Sequence, residues 1–296
     1  MESVLWWGVD VVRFVQQARS GFLDYFFIAI TMTGGDFFYM LTLPFLFWCV
    51  NKSMAARFYF LFLFSGWVNS QMKTLLNQPR PYHLDPAVKI AHTGGPGLPS
   101  GHAQGSLVLW GYLSLWMRNP RFTMGAAAII LLIALSRIYL GVHFPTDIFG
   151  GWILALALMI PFHFLAEKAE ERLGALSLPW QMILGFAIPL LFALVAPSKW
   201  SLRPMALLAG FGLAYPLERR YIAMPDAEGA RQRVVRYLLG IAVFLLMNGL
   251  PSLIAPAETS AGYLPYLFVK YACMGIWTGL GAPWLFGKME NKPLPA

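Results

Sequence analysis

The chain has 296 residues, of which 58% are hydrophobic, 16% aromatic and only 12% charged. Soluble globular chains run at about 45–50% apolar and about 25% charged residues. This composition therefore excludes a disordered chain and an ordinary water-soluble domain, and it fits a polytopic membrane protein. The formal net charge is +8. In a membrane protein such an excess marks loops that face anionic lipid, so the bilayer is the expected partner and nucleic acid is not.

Residues 4–18 are amphipathic, with Asp10, Arg13, Gln16 and Gln17 among Leu, Trp and Val. Residues 22–33 are apolar up to the turn signal Gly34-Gly35-Asp36. The two stretches read as an interfacial helix followed by a short surface helix. The first twenty residues lack a basic start and an unbroken apolar run, so no cleavable signal is expected there. Nine apolar segments follow, at 37–50, 54–76, 102–117, 122–142, 148–166, 178–197, 204–217, 236–255 and 263–287. A helix needs about 20 residues to cross the hydrocarbon, so the first and seventh are expected to extend past these limits. The fold class is all-α, a polytopic membrane helix bundle. Cys49 and Cys273 lie in apolar runs and are expected in buried packing, since two cysteines make neither a disulfide framework nor a zinc site.

Thirteen of the 22 Lys and Arg residues fall in one alternating set of loops, among them Lys52, Arg57, Arg118, Arg121, Arg219, Arg220 and Lys292. The other set holds six: Lys73, Arg80, Lys89, Arg137, Lys199 and Arg203. The positive-inside rule places the larger set in the cytoplasm. Nine spans then put the N-terminus outside and the C-terminus inside. The charged connector at 166–175 divides a polar-rich first part, 1–170, from a second part, 171–296, with about four spans of little interior polarity.

Three polar clusters stand at helix ends on the less basic side. They are Lys73 to Arg80-Pro81, then Pro99-Ser100-Gly101-His102, then Ser136-Arg137 through His143 to Asp147. Alternating spans bring all three to one face of the bilayer. Lys73, Arg80 and Arg137 have only Asp147 to balance them, so they call for an anion. Arg offers a planar fork suited to phosphate oxygens, and Lys adds a point charge. Ser100 and Gly101 open a helix, whose first N–H groups and dipole add anion-binding capacity. A carboxylate such as Asp147 on one nitrogen of His143 would fix its tautomer and leave the other as nucleophile. His102 has room to act as a general acid. No carboxylate-rich ligand set accompanies them, so no metal and no cofactor is expected.

Together these residues resemble the type 2 phosphatidic acid phosphatase superfamily, whose signature is KxxxxxxRP, PSGH and SRxxxxxHxxxD. All eleven specified positions match in order and spacing, and the resemblance covers roughly residues 22–166. It implies that Lys73, Arg80, Ser100, Gly101 and Arg137 bind phosphate oxygens. His143 would attack phosphorus to give a phosphohistidine, Asp147 would orient it, and His102 would protonate the leaving group and then activate water. Pro81, Pro99 and Ser136 would support the geometry. The resemblance implies a metal-independent phosphatase core followed by extra transmembrane helices. The expected substrate is a membrane lipid phosphate or pyrophosphate, with undecaprenyl pyrophosphate and glycerophospholipid phosphates leading. The expected location is a bacterial inner membrane with the site on the extracytoplasmic face. A phosphatase of a soluble sugar phosphate, a lipid phosphotransferase, and a transporter or flippase stay open as alternatives. Apart from the specified motif positions, His83 and His92 read as solvated loop residues, Tyr139 within the third cluster as packing, Lys270 as a snorkelling cation, and Gly94-Gly95-Pro96-Gly97 as a loop that could close over the site.

Overall fold

The structure, a computed structural model, describes residues 2–290. Among the described residues there are helices and turns and no strand. The α-helices in chain order are α1 (Glu2–Gln16), α2 (Gly21–Met32), α3 (Asp36–Phe45), α4 (Lys52–Leu76), α5 (Pro81–Leu84), α6 (Gly101–Met117) and α7 (Pro120–Tyr139). They continue with α8 (Pro145–Gly174), α9 (Leu178–Leu194), α10 (Lys199–Leu217), α11 (Ala230–Gly249), α12 (Tyr263–Ile276) and α13 (Ala282–Met289). Wider π turns prolong α3 to Val50 and α10 to Ile222, and another joins α12 to α13.

Each of the nine apolar segments falls on a helix, the first and ninth with a π turn and the eighth with a 3-10 turn at Leu250–Ile254. The short seventh segment extends back to Lys199, whereas the first, also expected to lengthen, gains only Asp36 and ends with its π turn at Val50. By length and composition α7, α8 and residues 230–254 can each cross a membrane alone. The apolar α2, expected at the surface, also meets that test together with α3 and its π turn, as a pair bent by 44°. Lys292 of the larger basic set lies outside the described residues.

The chain forms two compact units. The first comprises residues up to Tyr39 together with Val68–Phe162. Its core gathers Val9, Val12, Phe27, Tyr82, Tyr139, Val142 and Phe144. α1 thus buries Val9 and Val12 in protein, while its Val4, Trp6, Trp7 and Phe14 stay exposed. Its polar edge is equally engaged. Gln16 Nε2 donates to the carbonyls of Val88 and Tyr139, both at 2.8 Å. Arg13 pairs with Asp85 at 2.7 Å and holds that carboxyl below the usual carboxylate range, chiefly through its hydrogen bond. The helix therefore braces both the 85–91 segment and the end of α7. Tyr139 is packing, as its sequence context suggested: it is buried against Phe27 and donates to Asp24 at 2.7 Å. His83 and His92 are exposed.

The second unit comprises Met40–Trp67 and the residues from His163 onward. Its α10 packs against α9 and α12 at glycines. A Cβ on Gly210 would lie 1.9 Å from the Ala272 carbonyl oxygen, and one on Gly212 would lie 2.2 Å from that of Gly185. Small residues are how apolar helices approach closely where burial of apolar surface supplies little drive. Polar helix ends meet in ion pairs between Lys52 and Glu218 at 2.8 Å and between Glu170 and both Arg57 and Arg219. Arg236, only 1% exposed, is held by Glu290 and by the Pro225 carbonyl. Cys49 is buried, whereas Cys273, expected in buried packing, is exposed on the apolar helix α12. Its neighbours Ala272 and Met274 take the inward face instead.

Gly210→Ala is expected to destabilise the protein by about 1–3 kcal/mol through overpacking. Gly229→Ala, where a Cβ meets nothing within 4 Å, should be near neutral. Thermal melts in detergent check the pair, and equal midpoints for the two variants would contradict this packing.

Candidate active site

Four helix ends build the site in the first unit, and local sequence explains each. The chain leaves α4 through Asn77, which takes a left-handed φ of 41° while its N–H returns to the Lys73 carbonyl. Asn tolerates that conformation, so it closes the helix and leaves Lys73 in the last turn. Ser100 caps α6, its hydroxyl accepting from Ala103 N. At the end of α7 the chain turns through Gly141 at φ +70°, where a Cβ would lie 1.9 Å from the Val88 carbonyl oxygen. Only glycine fits there, and the turn delivers His143. Pro145 then starts α8 with its φ already set. Asp147, two residues on, reaches back to accept the Phe144 N–H at 3.1 Å. This is the reciprocal half of a capping box, and it fixes the carboxylate at a helix N-terminus that favours negative charge.

The structure brings most of the expected residues into direct contact. His143 Nδ1 lies 3.0 Å from Asp147 Oδ2. His143 Nε2 lies 3.1 Å from Arg80 Nη1. A carboxylate only accepts, so Nδ1 carries the proton and Nε2 presents a lone pair, which Arg80 takes. Burial, and then Arg137, Arg80 and Lys73, push protonation of His143 well below the usual imidazole range, so the ring is neutral. Ser100 N donates to the Asp147 carbonyl at 2.9 Å, which ties the second cluster to the third. Arg137 supports the turn through its own carbonyl, which accepts from Val142 N and His143 N.

His102 is the residue least tied in. Its ring lies against the Gly34-Gly35 turn, with Nε2 3.7 Å from a Cβ placed on Gly35. Among the described residues none exchanges a hydrogen bond with it. Gly101 faces Asn69, whose Oδ1 would lie 3.3 Å from a Cβ on Gly101. Ser136 is buried and donates back to the Ile133 carbonyl, in keeping with a supporting place.

The loop at 94–97 folds onto the cations. Arg80 donates to the carbonyls of Gly94, Gly95 and Pro96 at 2.8–3.0 Å and to Val142 at 2.8 Å. Lys73 donates to Pro96 and Gly97 at 2.8 and 2.9 Å. With His143 included, all five N–H groups of Arg80 are engaged. Arg137 is 4% exposed; it donates to Thr31 Oγ1, while its buried Nε has no partner. Backbone carbonyls satisfy donors, but they do not neutralise charge. Arg80 and Arg137 are thus buried, and Lys73 half-buried, with one buried carboxylate among them, an arrangement that favours an anion.

Several contributors escape a motif-level reading. Gln16 braces the turn, Thr31 holds Arg137, Gln78 donates to Asp147, and Asn69 donates to Gln104 at 2.6 Å beneath Gly101. Asn69 and Gln104 carried a signal, as amides inside apolar helices. Gln78 occupies an unspecified motif position, and Gln16 and Thr31 lie outside the motifs.

Fold and site together define a class: an all-helical membrane protein with a histidine–aspartate pair set among buried cations. Comparison with known proteins agrees. Residues 54–170 match the PAP2 superfamily model, and 202–293 match the PAP2 superfamily phosphatase transmembrane extension. The chain belongs to the PAP2 superfamily. It is 26% identical over 209 residues to lipid phosphate phosphatase delta of Arabidopsis thaliana, covering 64% of this chain and 50% of that one. It is 28% identical to sphingosine-1-phosphate phosphatase 2 of Homo sapiens, covering 54% and 41% of the two chains. The chain thus spans half or less of those two relatives. Against glucose-6-phosphatase catalytic subunit 1 of Canis lupus familiaris the identity is 23% over 300 residues, with 82% and 84% covered. A crystal structure of a transmembrane PAP2-type phosphatidylglycerolphosphate phosphatase from Bacillus subtilis shares the fold, with a TM-score of 0.50 at 23% identity, covering 57% of this chain and 88% of that one.

An anion that neutralises these cations should stabilise the fold. Inorganic phosphate at about 100 times its Kd is expected to add about 2.7 kcal/mol, read as a raised thermal midpoint. Arg137→Gln should weaken that response by roughly tenfold in phosphate concentration. An unchanged response in the variant would place the anion elsewhere.

Proposed function

We propose that the chain is a membrane phosphatase that cleaves a lipid phosphate monoester or pyrophosphate through a phosphohistidine, without a metal, at the extracytoplasmic face. The observation that carries this is the contact of His143 Nδ1 with Asp147 and of Nε2 with Arg80, in a cluster where Lys73, Arg80 and Arg137 have that one acid to match them. Among the described residues no three His, Cys, Asp or Glu side chains converge as metal ligands.

His143 Nε2 attacks phosphorus as the bond to the leaving oxygen breaks. His102 gives that oxygen its proton. Lys73, Arg80, Arg137 and the first turn of α6 at Ser100 and Gly101 stabilise the charge on the phosphoryl oxygens. Asp147 stabilises the imidazolium as the new N–P bond forms. His102, now neutral, takes a proton from water, which attacks phosphorus, breaks the N–P bond and releases inorganic phosphate. In this account residues 1–170 form the catalytic core and 171–296 an extension.

A lipid substrate is favoured by exposed apolar residues on the helix ends that carry the site: Leu75 in the last turn of α4 is 76% exposed, and Phe149 near the start of α8 is 57% exposed. Undecaprenyl pyrophosphate and glycerophospholipid phosphates suit such a lateral approach. The names of the Arabidopsis and human relatives point to lipid phosphates as well. A soluble sugar phosphate is the second reading, because the glucose-6-phosphatase match extends over more of the chain. The extracytoplasmic placement, in a bacterial inner membrane, rests on the lower Lys and Arg count of the loops that carry the site.

Purified protein in detergent with EDTA should release phosphate from lipid phosphates in preference to sugar phosphates. His143→Ala should lower turnover by about a thousandfold or more. No release from any substrate by folded wild-type protein would end the phosphatase reading, and faster release from sugar phosphates would favour the second. Sidedness is checked with Lys89→Cys in a background lacking Cys49 and Cys273. Labelling by an impermeant reagent from outside intact cells is expected, and labelling only after lysis would reverse the topology.

A further inference from the structure

The first motif carries a carboxamide between its two cations. Gln78 lies five residues after Lys73 and two before Arg80. Its Nε2 donates to Asp147 Oδ1 at 2.7 Å. The other carboxylate oxygen, Oδ2, is shared by His143 Nδ1 at 3.0 Å and Phe144 N at 3.1 Å. Both oxygens of a fully buried carboxylate are therefore held, one by the ring and helix start, one by the amide. The main chain of the same residue holds the loop over the cations, since Gly97 N donates to the Gln78 carbonyl at 2.8 Å. Gln78 thus touches both the acidic part of the site and the loop that seats Lys73 and Arg80.

An amide has a specific advantage here. Asp147 is faced by His143 in the α7–α8 turn, Lys73 on α4 and Arg80 after it, with Arg137 on α7 and His102 on α6 adding charge around His143. A carboxylate with one unclaimed oxygen beside two cations is free to rotate toward either, and His143 then loses its orienting partner. A neutral donor on Oδ1 fixes the carboxylate plane without adding a charge. An apolar side chain cannot donate, and a second carboxylate would repel.

We propose that Gln78 is a positioning residue: its side-chain amide sets the carboxylate of Asp147 so that Oδ2 faces Nδ1 of His143. It acts through Asp147 and makes no contact with the reacting atoms. The proposal rests on the phosphatase reading for its assay, and wild-type turnover tests that reading separately.

The test compares kcat and KM of wild type, Gln78→Leu and Gln78→Glu in detergent, between about pH 5 and pH 8. Gln78→Leu is expected to lower kcat by about tenfold or more, with KM within about threefold and inhibition by inorganic phosphate retained. Gln78→Glu carries a pH signature. In acid its carboxyl holds a proton and donates as the amide does; in base it is an anion facing Asp147. Its kcat relative to wild type should therefore fall by about tenfold or more as pH rises over that range. With wild type active, an unchanged kcat in Gln78→Leu overturns the proposal. So does a Gln78→Glu to wild-type ratio that stays flat with pH, the behaviour of a merely structural residue. If Gln78→Leu does not fold, the pH dependence of Gln78→Glu decides alone.

Discussion

Charge imbalance in a dry place governs this protein. Lys73 and Arg80 come from one stretch of chain and Arg137 from another, and they gather around the His143–Asp147 pair, with both arginines and Asp147 buried. Such a cluster repels itself, so the surrounding structure has to hold it together. The α4 end closes on Asn77, α8 begins at Pro145, and Gly141 supplies a turn that no other residue can make. Carbonyls from 94–97 take up the donors of two of the cations. The imbalance is preserved through all of this, and it is the property a phosphate would complete.

Support for that cluster reaches far along the sequence. The amphipathic α1 resembles a helix made for the lipid interface, yet Val9 and Val12 are buried to 0% exposure and Gln16 reaches the carbonyls of Tyr139, just before the Gly141 turn, and of Val88, which packs against it. Thr31, at the end of α2, holds Arg137. The N-terminal helices therefore belong to the scaffold of the site. In the second unit the logic differs. There α10 lies against its neighbours through backbone contacts at glycine, and the charges pair off at helix ends.

Much of this was legible in the sequence because its signals are strong ones. Nine apolar runs gave nine helical segments, since hydrocarbon thickness dictates run length. Motif spacing placed His143, Asp147, Arg80 and Lys73 together, because helix ends on one side of a bundle converge. Three things were not legible. The partnership of α1 was hidden because one amphipathic pattern serves a lipid surface and a protein surface equally. Gln78 and Thr31 were hidden because a hydrogen bond to a distant element leaves no periodic trace. The placement of Cys273 was hidden because an apolar helix in a membrane has no polar face to mark its outside, so Ala272 and Met274 rather than Cys273 turned inward.

One contact has a consequence for reactivity. Arg80 Nη1 sits on His143 Nε2, the lone pair that nucleophilic attack would use, and no N–H of that guanidinium is idle. At rest the imidazole is masked. An anion can bind Arg80 only by replacing one of its present acceptors. All five present acceptors are neutral, and an anionic phosphate oxygen outranks any of them because a bond between two charged groups is stronger. In the proposed reaction, a phosphate oxygen that displaced His143 from Arg80 would join capture of the anion and release of the nucleophile in a single exchange of one hydrogen bond. A site wired in this way would stay unreactive toward passing electrophiles and arm itself only for a ligand that carries negative charge.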